Sequence, residues 1–244
     1  MMCDFPQESF PISEPTVVDA ILHIVYAKPC HAGTYTFPEF VSAIDQMHLY
    51  EISPKDHLIP PNPSFSYILS FAPLFPLDLY ALAASHDLFE LAIATLPHLL
   101  SFPLAMIDDI TAMRIGGVYL KRLMSLHLSR HTSLKEILFP APHPHAPTRK
   151  CSFDNQKRLQ RAWTLAAAYL SWNMQPDLSI TSIQTTLSSL EEQVDCEECR
   201  EELKTRIKDV IERWASVPTV KLSIHHHMES GVNKYVRGLV ESDI

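Results

Sequence analysis

Apolar residues recur along this chain at three- and four-residue spacing, the period of helices that each hide one face. Val17, Val18, Ile21, Leu22, Val25 and Tyr26 follow Pro15 and predict a helix of about three turns. Phe37, Phe40, Val41, Ile44 and Met47 predict a second, with Pro38 early in it. The stretch 53–63 holds Pro54, Pro60, Pro61 and Pro63, which predicts no regular element, because proline lacks the donor a ladder needs. A short helix over 65–71 follows. Pro76 opens another, with Leu77, Tyr80, Ala81 and Ala84 inward. Asp87 and Glu90 stand at capping-box spacing and predict a start there, running toward Leu96 and on to Leu100. A helix over 107–114 should end at Gly116 and Gly117, after which Val118, Leu120, Leu123, Met124 and Leu128 continue the pattern inward.

Residues 139–150, FPAPHPHAPTRK, break that periodicity with four prolines and two histidines and read as an extended linker. Beyond it, Leu159, Trp163, Ala166, Leu170 and Asn173 share one face of a helix starting near Asp154. Ser179 is placed to cap a helix carrying Ile183, Leu187, Leu190 and Val194. Cys199, Leu203, Ile207, Val210, Ile211 and Trp214 form the stripe of a last one. Strand-type alternation is lacking, so the fold class is mainly α. The expected division is 1–138, a linker at 139–150, a three-helix antiparallel unit at 151–220, and a tail at 221–244. Trp163, Trp172, Trp214 and Tyr169, at helical spacing, are expected in a core.

Composition narrows the function classes. Twenty basic against 28 acidic residues give a formal charge of -8, which disfavours nucleic acid and anionic membrane, whose phosphates need clustered Lys and Arg. Five glycines among 244 residues disfavour phosphate-cradling loops. The first thirty residues carry acids and prolines with no basic segment ahead of an apolar stretch, and the longest apolar tract, 91–107, is broken by Pro97, His98 and Pro103. The expectation is a cytoplasmic or nuclear protein that spans no membrane.

Five cysteines (Cys3, Cys30, Cys151, Cys196 and Cys199) do not describe a secreted disulfide framework. The C-E-E-C run at Cys196–Cys199 is the sharpest local feature. Cys151, with His143 or His145, could complete a Cys3His zinc site, because tetrahedral zinc takes four ligands. Against this, Cys196 and Cys199 fall on the inward stripe with Leu203, where cysteine behaves as a small hydrophobe. Buried thiols and no stoichiometric metal or other cofactor are the expectation; structural zinc and a redox pair or disulfide are the alternatives. His225, His226 and His227 sit in a polar tail and read as solvated. The adjacent acids Asp108–Asp109 and Glu191–Glu192 cannot face each other on a helix, so they make poor acid–base pairs. With no nucleophile elbow, P-loop, dinucleotide fingerprint or H-E-x-x-H, a non-enzymatic interaction module is expected; the alternative is an enzyme or metal-stabilised protein using Cys196 and Cys199.

Residues 4–220 also resemble a family. FPQ (5–7), VVDAILHIVYAKP (17–29), FPEFVSAIDQMHLYEI (37–52) and FPLDLYALAASHDLFELAIATLPHLLSFPL (75–104) are similar, in order, to segments of the BTB/POZ-domain proteins abundant in mushroom-forming fungi. YLKRLMSLHLSR (119–130), PHPHAPTRKCSF (142–153), RAWTLAAAYLSWNMQPDLS (161–179) and CEECREELKTRIKDVIERW (196–214) extend the likeness. The resemblance implies a BTB-like helical region, here lacking the N-terminal hairpin and first helix, then a helical stack and a C-terminal helical bundle. It implies an adaptor role, linked to ubiquitin-ligase or transcriptional assemblies, with other proteins as partners and self-association through uncovered apolar surface. It further implies docking to a cullin scaffold through an apolar-x-acid triplet, matched here by Phe37, Pro38 and Glu39.

Overall fold

A computed structural model describes residues 14–172 and 176–220. The fold is mainly α: ten helices, with no strand among the described residues. α1 (Pro15–Val25) begins with proline in its first turn, where the missing N–H costs nothing. It buries Val17, Ala20, Ile21 and Ile24, so the face is rotated from the predicted one: Leu22 and Tyr26 point outward. α2 (Phe37–Gln46) is capped reciprocally, the Glu39 carboxylate accepting from the Thr36 amide and hydroxyl at 2.7 Å each. Phe37 lies in the core with its ring stacked on Phe75 at 4.6 Å. The surface anchor read at Phe37 and Glu39 is therefore corrected: the first is inside, the second occupied by the cap.

The proline-rich stretch does hold one helical turn, α3 (Pro54–His57), again with proline first. α4 (Pro63–Leu69) is capped by Asn62, whose side-chain oxygen accepts from the Ser64 amide at 2.9 Å while its nitrogen donates to the Ile24 carbonyl at 3.0 Å, tying α4 to α1. α5 (Pro76–Ser85) is the hub, buried continuously from Leu79 to Ala84, with α6 (Phe89–Thr95) and α7 (Asp109–Leu138) against it. The capping box expected from Asp87 is overturned. Leu88 is the cap residue, and Asp87 stands at φ 51° with its carboxylate taken by Lys55 and by the Tyr119 hydroxyl, each at 2.6 Å.

α7 is capped by Asp108, which accepts from the Thr111 amide at 2.6 Å. It kinks at Gly116 (φ 72°, ψ 159°), a conformation that glycine adopts without a Cβ penalty. Its inward row is Ile115, Tyr119, Leu123 and Leu126; of the predicted residues Leu123 is buried and Leu120 half-buried, whereas Val118, Met124 and Leu128 face out.

Two cores result. The first runs from Val17 to Leu126; the second takes in Leu134, Ile137 and Leu138 and continues to Trp214. The division falls inside α7 rather than at the linker, and the last turns of α7 make the C-terminal unit four-helical, with α8 (Phe153–Trp172), α9 (Ile180–Ser188) and α10 (Glu197–Ala215). Ser179 caps α9 as expected, accepting from the Ser182 amide at 3.1 Å. The buried stripes of α9 and α10 follow those read from periodicity, except that Ile211 is half-buried, Arg206 is buried, and Leu190 and Val194 are buried just past the end of α9. Trp163 and Trp214 are in this core and donate to the Leu138 and Leu178 carbonyls at 2.9 and 2.8 Å. Trp172 is 90% exposed and Tyr169 60%, so the expected core place of both is corrected. Asn173 and the His225–His227 tract lie outside the described residues. Among the described residues no helix is long and apolar enough to cross a membrane.

Candidate functional site

The linker does not run free. The Arg206 guanidinium donates to the carbonyls of Ile137 and Pro140, at 2.8 Å for the latter, and pins the linker's start to α10. The chain then returns at a tight turn in which Thr148 and Cys151 exchange backbone hydrogen bonds at 3.0 and 3.2 Å, and the Thr148 hydroxyl accepts a third from the Cys151 amide. That turn buries Cys151 just before α8 begins. On the other side, Cys196 is the N-cap residue of α10 and Cys199 lies one turn on. Arg200 holds the approach, donating to the Val194 carbonyl at 2.8 Å.

These constraints bring four side chains together. His145 Nε2 lies 3.4 Å from Cys196 Sγ and 3.2 Å from Cys199 Sγ, and Cys151 Sγ lies 3.6 Å from Cys199 Sγ. All four atoms fall within 4.8 Å of one another. Cys199 is buried as expected, and Cys151 is buried too, whereas Cys196 is half-buried at the helix cap, so its expected inward place is corrected. The choice left open between the linker histidines resolves to His145, since His143 is exposed and outside the group. His145 turns its Nδ1 toward the Ala146 carbonyl at 2.7 Å and the Glu198 carboxylate at 2.9 Å. Those acceptors place the ring proton on Nδ1 and leave the Nε2 lone pair facing the sulfurs. Glu198 was not singled out from sequence; its place between the two cysteines is the only signal for it.

The thiols differ. The Cys199 amide, with help from Cys151 and the Glu198 amide, lowers Cys196 to about 7 despite burial. Burial and the neighbouring sulfurs push Cys199 up. The Ala146 carbonyl, with Cys196 and Glu198, raises His145. A hollow of mixed lining, with Lys150, Asn155, Arg158, Arg161 and Gln193 beside Leu159, Leu165 and Leu190, opens beside the three cysteines. Soft thiolates and one imidazole at this spacing can ligate a divalent cation; two of the thiols could instead pair as a disulfide.

A second feature lies on the outer side of α7. Ile110, Met113, Val118, Met124 and Leu128 are 76, 74, 65, 49 and 68% exposed. Gly117, Leu120, Lys121, Met124, Ser125 and Leu128 line a shallow, largely apolar groove there. The sequence signal was present: apolar residues over 110–128 cover more of the helix than one inward stripe needs. No protein-family model, curated protein or solved structure matches the chain.

Proposed function

We propose that this chain is a non-enzymatic interaction module that binds a partner's amphipathic helix along the outer face of α7. The observation that carries this reading is the exposed apolar groove formed by Leu120, Met124 and Leu128 after the Gly116 kink, on a helix whose opposite row already fills the first core. Contiguous exposed apolar surface on a folded protein marks an interaction site, and methionine-bearing grooves accept varied apolar side chains. The partner's chemistry follows from charge. The chain carries -8 overall, yet α7 has no carboxylate between Asp109 and Glu136, and Lys121 stands in the groove, whereas Arg114 is already paired with Asp45 at 2.9 Å. An apolar groove with Lys121 in its wall suits a helix with apolar residues at i, i+3, i+4 and i+7 flanked by acids. The resemblance of residues 4–220 to BTB/POZ adaptors supports the same class of function; with Phe37 in the core, the proposed docking surface is α7 and not the Phe37–Glu39 triplet.

A displayed library of helical peptides, selected against the whole chain, tests this. The expected binders are acidic amphipathic helices that lose more than tenfold in affinity against Met124→Asp or Leu128→Asp and a smaller factor against Lys121→Glu. Binders indifferent to all three substitutions, or no binders, overturn it. Sedimentation of the wild type alone closes the remaining case: a dimer dispersed by Leu128→Asp makes the occupant a second copy and overturns the assignment to a heterologous helix.

A further inference from the structure

We infer that His145, Cys151, Cys196 and Cys199 bind one zinc ion as a closed structural centre that clasps the linker and the start of α8 to the start of α10. The argument begins with distances. Zinc sits about 2.3 Å from sulfur and about 2.0–2.1 Å from imidazole nitrogen in tetrahedral sites, which sets edges of roughly 3.8 Å between sulfurs and roughly 3.6 Å between sulfur and nitrogen. Three of the six edges are 3.6 Å for Cys151–Cys199, 3.4 Å for Cys196–His145 and 3.2 Å for Cys199–His145. No edge exceeds 4.8 Å. Four ligand atoms from three separate chain segments thus already enclose a space of the size a zinc ion fills.

The surroundings are those a zinc site needs. The second nitrogen of a zinc-bound histidine almost always donates to a carboxylate or a carbonyl, and His145 Nδ1 has both, in Glu198 and Ala146. Cys196 and Cys199 meet the cation from the first turn of α10, where backbone amides stabilise anionic sulfur. Three thiolates with one Zn2+ carry a net charge of -1. Lys150, Arg158 and Arg161 line the adjoining hollow and offset it. On binding, the thiol protons leave to solvent, four metal–ligand bonds form, and nothing is oxidised or reduced. Because all four positions are protein atoms, no site is left for water or substrate, so the centre is structural. It joins residues 145 and 151 to residues 196 and 199, closing loops that the small second core alone would have to hold.

The full chain is the material for the test, produced with zinc and purified under a thiol reductant. The expected result is one zinc per chain. Replacement by Co2+ should give tetrahedral d–d bands with thiolate-to-cobalt charge transfer. Cys196→Ser replaces a half-buried sulfur and should keep the fold while lowering charge-transfer intensity by about a third and zinc affinity at least tenfold. His145→Asn should weaken zinc at least tenfold with charge transfer retained at saturation. Cys30→Ser, and His225→Ala with His226→Ala and His227→Ala, should leave both readouts unchanged. The inference is overturned by reduced wild-type protein that takes up neither zinc nor cobalt, or by cobalt bands that persist unchanged in Cys196→Ser. It is equally overturned by a centre lost with the tail histidines. None of these outcomes bears on peptide binding at α7, so the two proposals fail separately.

Discussion

The two cores of this chain solve the same problem by different means. The first is thick. α5 is buried on all sides from Leu79 to Ala84, and Tyr35, Phe37, Phe40, Tyr67, Phe71 and Phe75 pack on one another in edge-on, tilted and stacked pairs with ring centroids 4.6–6.3 Å apart. The second is thin, and its helices are strapped through polar groups. Arg206 takes the Ile137 carbonyl of α7 and the Pro140 carbonyl of the linker and lies over the Trp163 ring at 5.7 Å. Arg130 takes the Pro176, Val217 and Pro218 carbonyls and lies over Trp214 at 4.4 Å. The Cys3His cluster closes the remaining corner. A small unit buries too little apolar surface to offset the entropy of its own loops, so directional bonds to loop carbonyls, and here a proposed metal, make up the difference.

Metal removal is the sharpest way to break the contrast. Stripping zinc with a chelator should expose the amides of 140–215 to hydrogen exchange and leave those of 17–126 protected; equal deprotection of both regions would erase the distinction. Next in size is Trp163→Ala, which removes a fully buried ring and should cost about 3–5 kcal/mol, with Trp214→Ala close to it. Trp172→Ala, at a 90% exposed position, should stay within about 0.5 kcal/mol in the same denaturant titration. Leu82→Ala in α5 should cost about 2–5 kcal/mol and be felt in the first region, with zinc content unchanged. Arg206→Met keeps the stem but orphans the Ile137 and Pro140 carbonyls, for a loss of about 1–3 kcal/mol. Arg206→Lys should not restore it, since an ammonium cannot reproduce the fork. The smallest effect is electrostatic. Lys55 and then Tyr119 hold the Asp87 carboxyl below its ordinary value, so the stability it adds is present above the unfolded-state pKa and fades as pH falls through the folded one. Being largely exposed, the pair should contribute less than about 1 kcal/mol, read as the difference between wild type and Asp87→Asn at neutral pH that closes in acid.

Periodicity alone settled the mainly helical class, the Ser179 cap, and most of the buried rows of α9 and α10, because on those helices the apolar residues occupy a single face and leave one way to turn it. The residue types of a possible metal site were also legible, since cysteine and histidine chemistry is written in their identity. Other features required the tertiary structure. On α1 and α7 apolar residues cover more than one face, so which row turns inward depends on what packs against it, and Met124 and Leu128 went outward although their spacing fits a core. Asp87 has the spacing of a cap, but Lys55 and Tyr119, distant in sequence, compete for the same oxygens and win them. His145 rather than His143, and the meeting of Cys151 with Cys199 from 48 residues away, depend on a linker fixed by Arg206 and a turn closed by Thr148. Spacing along a chain specifies contacts only within one helix or one turn; a site gathered from three segments exists once the helices between them have packed.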